Sequence, residues 1–557
     1  MSNPVRSPAD DASGTLKPQL GLVGITINAM ALIAPGAFLW TTYQLQAPKD
    51  SAPNMWAAVA LATIIALLTA SCYATLSRAY PEAGAGSSYY YAEAAIIAKE
   101  KHTHFRFARL AKFTTGWAAH LYYWVYPGVM VGFMGTILVF IGQLFNPNFG
   151  SDNTTKVIIC FVFAAIVGSI ALMGVTGSTL VNIIINIIQI ASLAFFSVLA
   201  IAYRLGHPSV PYEHPNALSV ILPHDFKGLI FQTTIAILLV VGFESATALA
   251  GEAKNPGKDI PRGVILSLVI QACICYFLEY FAANFFINEN YQGLVDKSGG
   301  NFSLLDPTKT FSNINQIPGF DPKTYAGGSI VHGFDAAAAS SAPLGDMAKI
   351  LGDTLLGGAG FAFELILAIT VVLALVGTAL SCLATGVRVT YAMGGDRELP
   401  PVFGFMHGRF NTPHIGIYVL TIVSAIIGGF GVLNSDNLTI VTLISNIGTF
   451  LLYGFTCAVT FIASLDYLLE GQTNPLQTKV IPVLGAILNL AMMIGVIYFA
   501  LVGTGNSQSN TIWAIAWSVG FFVVGFIWLF INSSVRRQPL FLSADHVDPR
   551  RGGVGRL

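Results

Sequence analysis

Residues 241–264 read VGFESATALAGEAKNPGKDIPRGV, and this stretch decides what kind of protein the chain makes. It continues an apolar run that begins near residue 228, and inside that run stand a glycine, Gly242, and a carboxylate, Glu244. A carboxylate at bilayer depth costs at least ~2.5 kcal/mol on insertion scales, so it is expected to face a bundle interior or a cavity. A glycine break in a spanning helix frees backbone groups that lipid cannot satisfy. Such backbone persists only where it is buried in protein or lines a wet cavity. Past Leu249 the stretch turns polar and basic and is bounded by Pro256 and Pro261, which marks the exit from the membrane. These features predict a binding site at membrane depth, not a passive anchor.

The rest of the chain agrees. Of 557 residues, 54% are hydrophobic and 10% are charged, against roughly 25% charged in a soluble domain. Lys and Arg balance Asp and Glu at 28 each, so no net basic field invites nucleic acid. Twelve apolar runs are read as spans of roughly 20 residues: 20–45, 55–78, 115–145, 157–173, 175–203, 228–250, 262–286, 356–392, 414–433, 438–464, 480–502 and 511–532. With the N-terminus inside, the inner segments hold 20 of the 28 Lys and Arg residues and the outer ones eight. The positive-inside rule then puts both tails, 1–19 and 533–557, in the cytoplasm. The first 19 residues are polar and show no cleavable signal. The six cysteines all fall in apolar runs, without zinc or redox spacing. No His cluster or Ser–His arrangement suggests an enzyme, and no cofactor is expected. The outer loop, 287–355, is read as irregular over 288–332, with a possible short helix over Phe334–Leu356.

Two spans carry breaks at comparable depth. The first reads GLVGITINAMALIAPGAFLW, residues 21–40, with Ala34-Pro35-Gly36 near its middle. Pro35 removes a backbone donor, and Gly36 permits backbone angles that other residues avoid. The second break is Val241-Gly242-Phe243 in span 6. Interrupted spans at corresponding positions of two halves point to a transporter site. The halves are 20–203 and 228–464, five spans each and therefore inverted, with two further spans over 480–532. A half-helix N-terminus suits a carboxylate, and a half-helix C-terminus offers carbonyls to an ammonium or a metal cation. Two breaks side by side match a zwitterion, and an α-amino acid is the obvious one.

The motifs then resemble those of the amino acid–polyamine–organocation permeases. GFESATALAGEAKNPGKDIPRG is similar to that family's helix-6 signature. Tyr80–Tyr89 resembles its second-to-third helix junction, and RVTYAMGGDRELP, residues 388–400, resembles the end of its eighth helix. The likeness runs from about 20 to 532. It implies an all-α integral membrane fold of twelve helices, a five-plus-five inverted repeat and transport by alternating access. It also implies a site. Gly36 and Ala37 would offer N–H groups to the substrate carboxylate, although Pro35, just before them, has none to give. Val241 and Gly242 would lie near the substrate amine. Leu238 falls where some relatives place an aromatic gate. Tyr123 and Tyr126 lie in a stretch resembling the pocket-facing part of helix 3. Gln189 stands where many proton-coupled relatives carry a lysine, so coupling uses H+ through another group such as Glu244, or Na+.

Other intramembrane polar groups have less specific readings. His120 is expected to pack through hydrogen bonds, with proton relay as its alternative. Glu279 and Glu364 are expected to reach the outer interface or cavity, and Asn182 and Asn186 to bond between helices. Glu252 is expected to cap the inner end of helix 6. Only Glu244, among charged residues, is placed in the inferred pocket, which favours a neutral amino acid. A small amine or polyamine is the second reading. A transporter-like nutrient receptor without flux is the third, disfavoured by the short tails. The expected location is a plasma membrane (the inner membrane of a bacterium), with the lipid bilayer as partner.

Overall fold

The computed structural model describes residues 20–34, 36–48, 51–81, 86–100, 107–174, 179–296, 302–309, 311, 314–317, 327–410, 412–465, 474–502, 505–537 and 540–541. In chain order its main helices are α1 (Leu22–Ile33), α2 (Ala37–Gln46), α3 (Met55–Ala79), α4 (Ser88–Glu100), α5 (Ala108–Phe145), α6 (Asn153–Leu172) and α7 (Thr179–Gly206). There follow α8 (Ala217–Ile221), α9 (Phe226–Ala236), α10 (Ser245–Ala248), α11 (Pro256–Val269) and α12 (Phe277–Phe286). The insertion adds strands β1 (Gln292–Val295), β2 (Phe302–Leu304) and β3 (Ser329–His332), then α13 (Gly333–Ala339) and α14 (Pro343–Leu355). The chain continues with α15 (Gly360–Gly395), α16 (His414–Gly431), α17 (Ser435–Ser464), α18 (Ile481–Val502) and α19 (Gly505–Arg536).

Among the described residues, eleven helices are long and apolar enough to cross a membrane. The expected twelfth, span 6, is not one continuous helix. α9 runs into a single 3-10 turn, Ile237–Leu239, and the chain is then irregular, with a turn at Phe243–Glu244, until α10, which has only four residues. The apolar part, Phe226–Leu239, is too short to span alone. Span 3 also differs from its expected start at 115, since α5 begins at Ala108. Its first turns carry Arg109 and Lys112, which looked like an inner loop but are buried in ion pairs. Lys112 Nζ lies 2.8 Å from Glu93 and 2.6 Å from Asp396, and Arg109 Nε lies 2.7 Å from Glu398. The expected start of span 5 at 175 and Pro35 both lie outside the described residues.

The bundle has an apolar core, and it also exposes apolar side chains where a soluble protein would expose polar ones. On α18, Ile487, Leu490, Ile494 and Ile497 are exposed along one helical face, while Asn489 is fully buried and donates to Gly485 O. Ile158, Phe161, Val162 and Ile166 on α6 repeat the pattern. Apolar side chains at i, i+3 and i+7 on the rim, with polar ones within, suit hydrocarbon as the outer solvent. α5 lies at the centre, against α15, α16 and α17, and α1 packs on α7, α11 and α15.

The 287–355 insertion is ordered where it is described, contrary to the irregular reading. β1 pairs antiparallel with both β2 and β3, giving the order β2-β1-β3. The strands are three or four residues long, below the length at which alternating hydrophobicity identifies them. The single expected helix is two, α13 and α14, separated at Ser340–Ala342. Both rest on α2. A Cβ at Gly345 of α14 would lie 2.6 Å from the Trp40 ring, so a glycine permits this close approach. The insertion therefore covers one end of the first broken helix.

Candidate substrate-binding site

The first break is built by two left-handed residues. Ala34 ends α1 at φ 49° and ψ 85°, and Gly36 starts α2 at φ 72°. Positive φ is uncommon for an alanine, and neighbouring side chains hold the conformation. Tyr276 Oη lies 3.0 Å from Ile33 O and 2.8 Å from Ala34 O. Gln271 Nε2 donates to Met30 O (3.2 Å), and Thr378 Oγ1 donates to Ala31 O (3.0 Å). The carbonyls that α1 leaves at its C-terminus are thus met by α11–α12 and α15. Met30 O and Ala34 O each accept a backbone N–H as well, from Ala34 and Ala37.

The second break is closed by its own chain. Gly242 has φ 115°, which only glycine adopts readily. Its N–H donates to Glu244 Oε2 at 3.0 Å. Tyr453 Oη donates to the same oxygen at 2.8 Å, and Tyr123 Oη donates to Oε1 at 3.0 Å. Glu244 is fully buried and has three donors. Phe243 packs between Tyr73 and Tyr453, at ring distances of 6.1 and 5.3 Å. Ser245 Oγ and Ser245 N both donate to Gly242 O, and Asn446 Nδ2 donates to Thr234 O.

The two breaks touch. A Cβ at Gly242 would lie 2.9 Å from Leu32 Cγ, in the last turn of α1. This contact sets the last turn of α1 against Gly242, and Gly36, Ala37 and Val241 are buried as well. Tyr123 and Tyr126 lie three apart on α5. They serve different breaks. Tyr123 reaches Glu244, whereas the Tyr126 ring lies 6.2 Å from that of Phe38, at the start of α2. The Tyr126 hydroxyl is buried without a hydrogen-bond partner among the described residues. Leu238 is fully buried in the 3-10 turn before the second break. Gln189 is buried on α7, which packs on α1, and its Oε1 has no partner among the described residues. The same holds for Asn186 Nδ2, while the Asn182 side chain lies outside the described residues.

Glu279 lies where the sequence reading did not put it. It is 2% exposed, and its two carboxylate oxygens fill the space where a Cβ of Gly36 would stand. Oε2 has no hydrogen-bond partner among the described residues. It sits on α12 immediately after a π-helical turn, Ile270–Tyr276, which rotates this part of the helix toward the break. Such turns are frequent at functional sites. A carboxylate in an apolar span was the available signal; the π turn that aims it has no sequence signature. Tyr276, Thr378 and Tyr453 were also missed, since each contact depends on how two distant helices are rotated.

Other expected groups are structural in their contacts. His120 lies 2.7 Å from Gly116 O and 3.0 Å from Thr390 Oγ1, in the packing role. Glu364 is buried, with Oε2 unpartnered among the described residues. Glu252 accepts from Arg388 at 2.8 Å, and its carbonyl accepts from Leu20 N. Ser87 Oγ and Thr247 Oγ1 meet at 2.6 Å nearby. These contacts close the end of the bundle opposite the insertion.

Known proteins are similar to this chain in sequence. The chain is 24% identical over 434 residues to a methylthioribose transporter of Bacillus subtilis, covering 76% of this chain and 77% of that one. It is 25% identical over 424 residues to a branched-chain amino acid permease of Lactococcus lactis, covering 73% of each. It is 27% identical over 266 residues to a vacuolar cationic amino acid transporter of Arabidopsis thaliana, covering 46% of this chain and 40% of that one. The amino acid permease family model matches residues 29–544, nearly the whole length of the broken-helix bundle, so the chain belongs to the amino acid permease family.

Proposed function

We propose that this chain is a secondary active transporter that moves an α-amino acid across a plasma membrane by alternating access, with both termini in the cytoplasm. The observation that carries this reading is the contact between the breaks, Leu32 against Gly242. It sets the last turn of α1, just before the start of α2, against the unwound backbone at Gly242. The substrate carboxylate would take the N–H groups near Gly36 and Ala37, displacing the Ala37 N–H from Ala34 O, and its α-amine the carbonyl of Val241 or those just before it, since Gly242 O already accepts twice from Ser245. The buried apolar residues Phe38, Leu238 and Val241 at the breaks suit the aliphatic part of a neutral or a cationic side chain. Relatives named for branched-chain and for cationic amino acids leave both side-chain classes in play.

The proposed coupling ion is a proton. Glu244, a carboxylate buried at the second break, is the candidate carrier. Gln189 supplies a neutral amide, which neither releases a proton at physiological pH nor substitutes for a cation. Purified protein in liposomes tests the whole reading. Labelled amino acids should enter, and an inward proton gradient should raise the rate. Uptake that instead rises with a sodium gradient at fixed pH and membrane potential overturns the proton assignment. Failure to move any amino acid overturns the function.

A further inference from the structure

We propose that Glu279 is a specificity-determining residue, whose carboxylate receives a positively charged group on the substrate's side chain, making cationic amino acids the preferred cargo. This rests on the permease reading above and deepens it. Glu279 is buried, lies against Gly36 at the first break, and makes no ion pair among the described residues. Its Oε2 and the Tyr126 hydroxyl are both buried without hydrogen-bond partners there. Each approaches the same junction, Glu279 through Gly36 and Tyr126 through Phe38.

Unpaired buried polar groups are costly and call for a partner. A lysine or arginine side chain supplies that partner: N–H donors with a positive charge for the carboxylate, and a donor for the phenol oxygen. The neighbouring backbone strengthens the argument. A substrate carboxylate bound at Gly36 and Ala37 comes beside the carboxylate of Glu279, and like charges at close range repel. The α-amine of a neutral amino acid is committed to the carbonyls of the second break, which leaves this repulsion uncompensated. A cationic amino acid brings a second positive charge to lie between the two carboxylates. Glu244 does not serve this purpose, because three donors already occupy it.

The test compares lysine with norleucine, which differ by the terminal ammonium. Purified protein is placed in liposomes with the membrane potential clamped at zero, and labelled uptake is measured for the wild type and Glu279→Gln. The expected wild-type preference for lysine is at least about tenfold, and Glu279→Gln should bring the ratio to about one. A wild type that takes up norleucine as well as or better than lysine overturns the proposal and leaves the permease reading intact. The wild-type ratio decides this even if the variant does not fold. A lysine preference that survives Glu279→Gln assigns selection to another group and also overturns it. Uptake of neither amino acid, nor of any other, overturns the permease reading itself.

Discussion

The two breaks solve the same problem in opposite ways. At the second, an unwound backbone is capped from within: Glu244, two residues on, accepts from Gly242 N, and Tyr123 and Tyr453 complete the shell. At the first, the capping comes from elsewhere. Gln271, Tyr276 and Thr378 hold the carbonyls of α1, and Glu279 brings a carboxylate that nothing described satisfies. Glu244 sits within the recognisable motif yet is fully engaged by protein. Glu279 sits outside it and has capacity left for a ligand. Membership of a signature motif and availability to substrate are therefore separate properties. A charged group whose partners are already protein holds the backbone; one whose partners are missing is where recognition has room to act.

The largest effects are expected at the glycines. Gly242→Leu would drive a side chain into Leu32 and force φ 115° on a residue that avoids it, and Gly36→Leu would collide with Glu279. Both should reduce uptake to background in protein that still elutes as a single species from detergent. Normal uptake by both variants would remove the breaks from the site.

Charges sharpen the contrast next. Lys112 is the buried cation shared by Glu93 and Asp396. Lys112→Met strands two carboxylates, at an expected cost of about 3–5 kcal/mol, seen as a large fall in Tm. Glu279→Gln removes a charge that is already unpaired, so Tm should hold or rise. A Tm loss for Glu279→Gln as large as that for Lys112→Met would mean that Glu279 has a structural partner after all.

Hydroxyls give a smaller version of the same test. Tyr453→Phe deletes one of the three donors to Glu244 and should cost about 1.5–3 kcal/mol of stability. Tyr126→Phe deletes a hydroxyl without a described partner and should leave stability unchanged within about 0.5 kcal/mol while altering substrate uptake. Equal losses in a denaturation experiment would erase the proposed difference between the breaks.

The smallest effect is expected in the insertion. Asp346 accepts from Tyr291 Oη at 2.9 Å and from Ser340 Oγ. Burial pushes its carboxyl up from 3.8 to about 6. A raised pKa in the folded state gives stability that is complete below about pH 4 and is lost as pH rises through about 6. Hydrogen exchange in β1 and α14 should therefore be slower at pH 5 than at pH 7, after correction for the intrinsic rate. Asp346→Asn should flatten that dependence.

Much of the fold was legible because hydropathy reports the solvent outside the bundle. Runs such as 414–433 and 480–502 carry no competing signal. The breaks were legible from Ala34, Gly36 and Gly242, where local backbone chemistry is written in the residue type. The short strands of the insertion were not, since three or four residues leave no period to read. Nor was the ionic start of α5, because Arg109 and Lys112 resemble a solvated loop until Glu93, Asp396 and Glu398 are brought to them. Glu279 was visible as a carboxylate in an apolar run, but its aim at Gly36 depends on a π turn and on the packing of distant helices.

The most direct measurement is a structure determined with a labelled, transported amino acid bound. The account predicts density between Gly36 and Val241–Gly242, with the carboxylate at the N-terminal end of α2, the α-amine at the unwound carbonyls of the second break, and Glu244 still held by Tyr123 and Tyr453. An amino acid bound elsewhere, with the Leu32–Gly242 contact intact and nothing between the breaks, would contradict it.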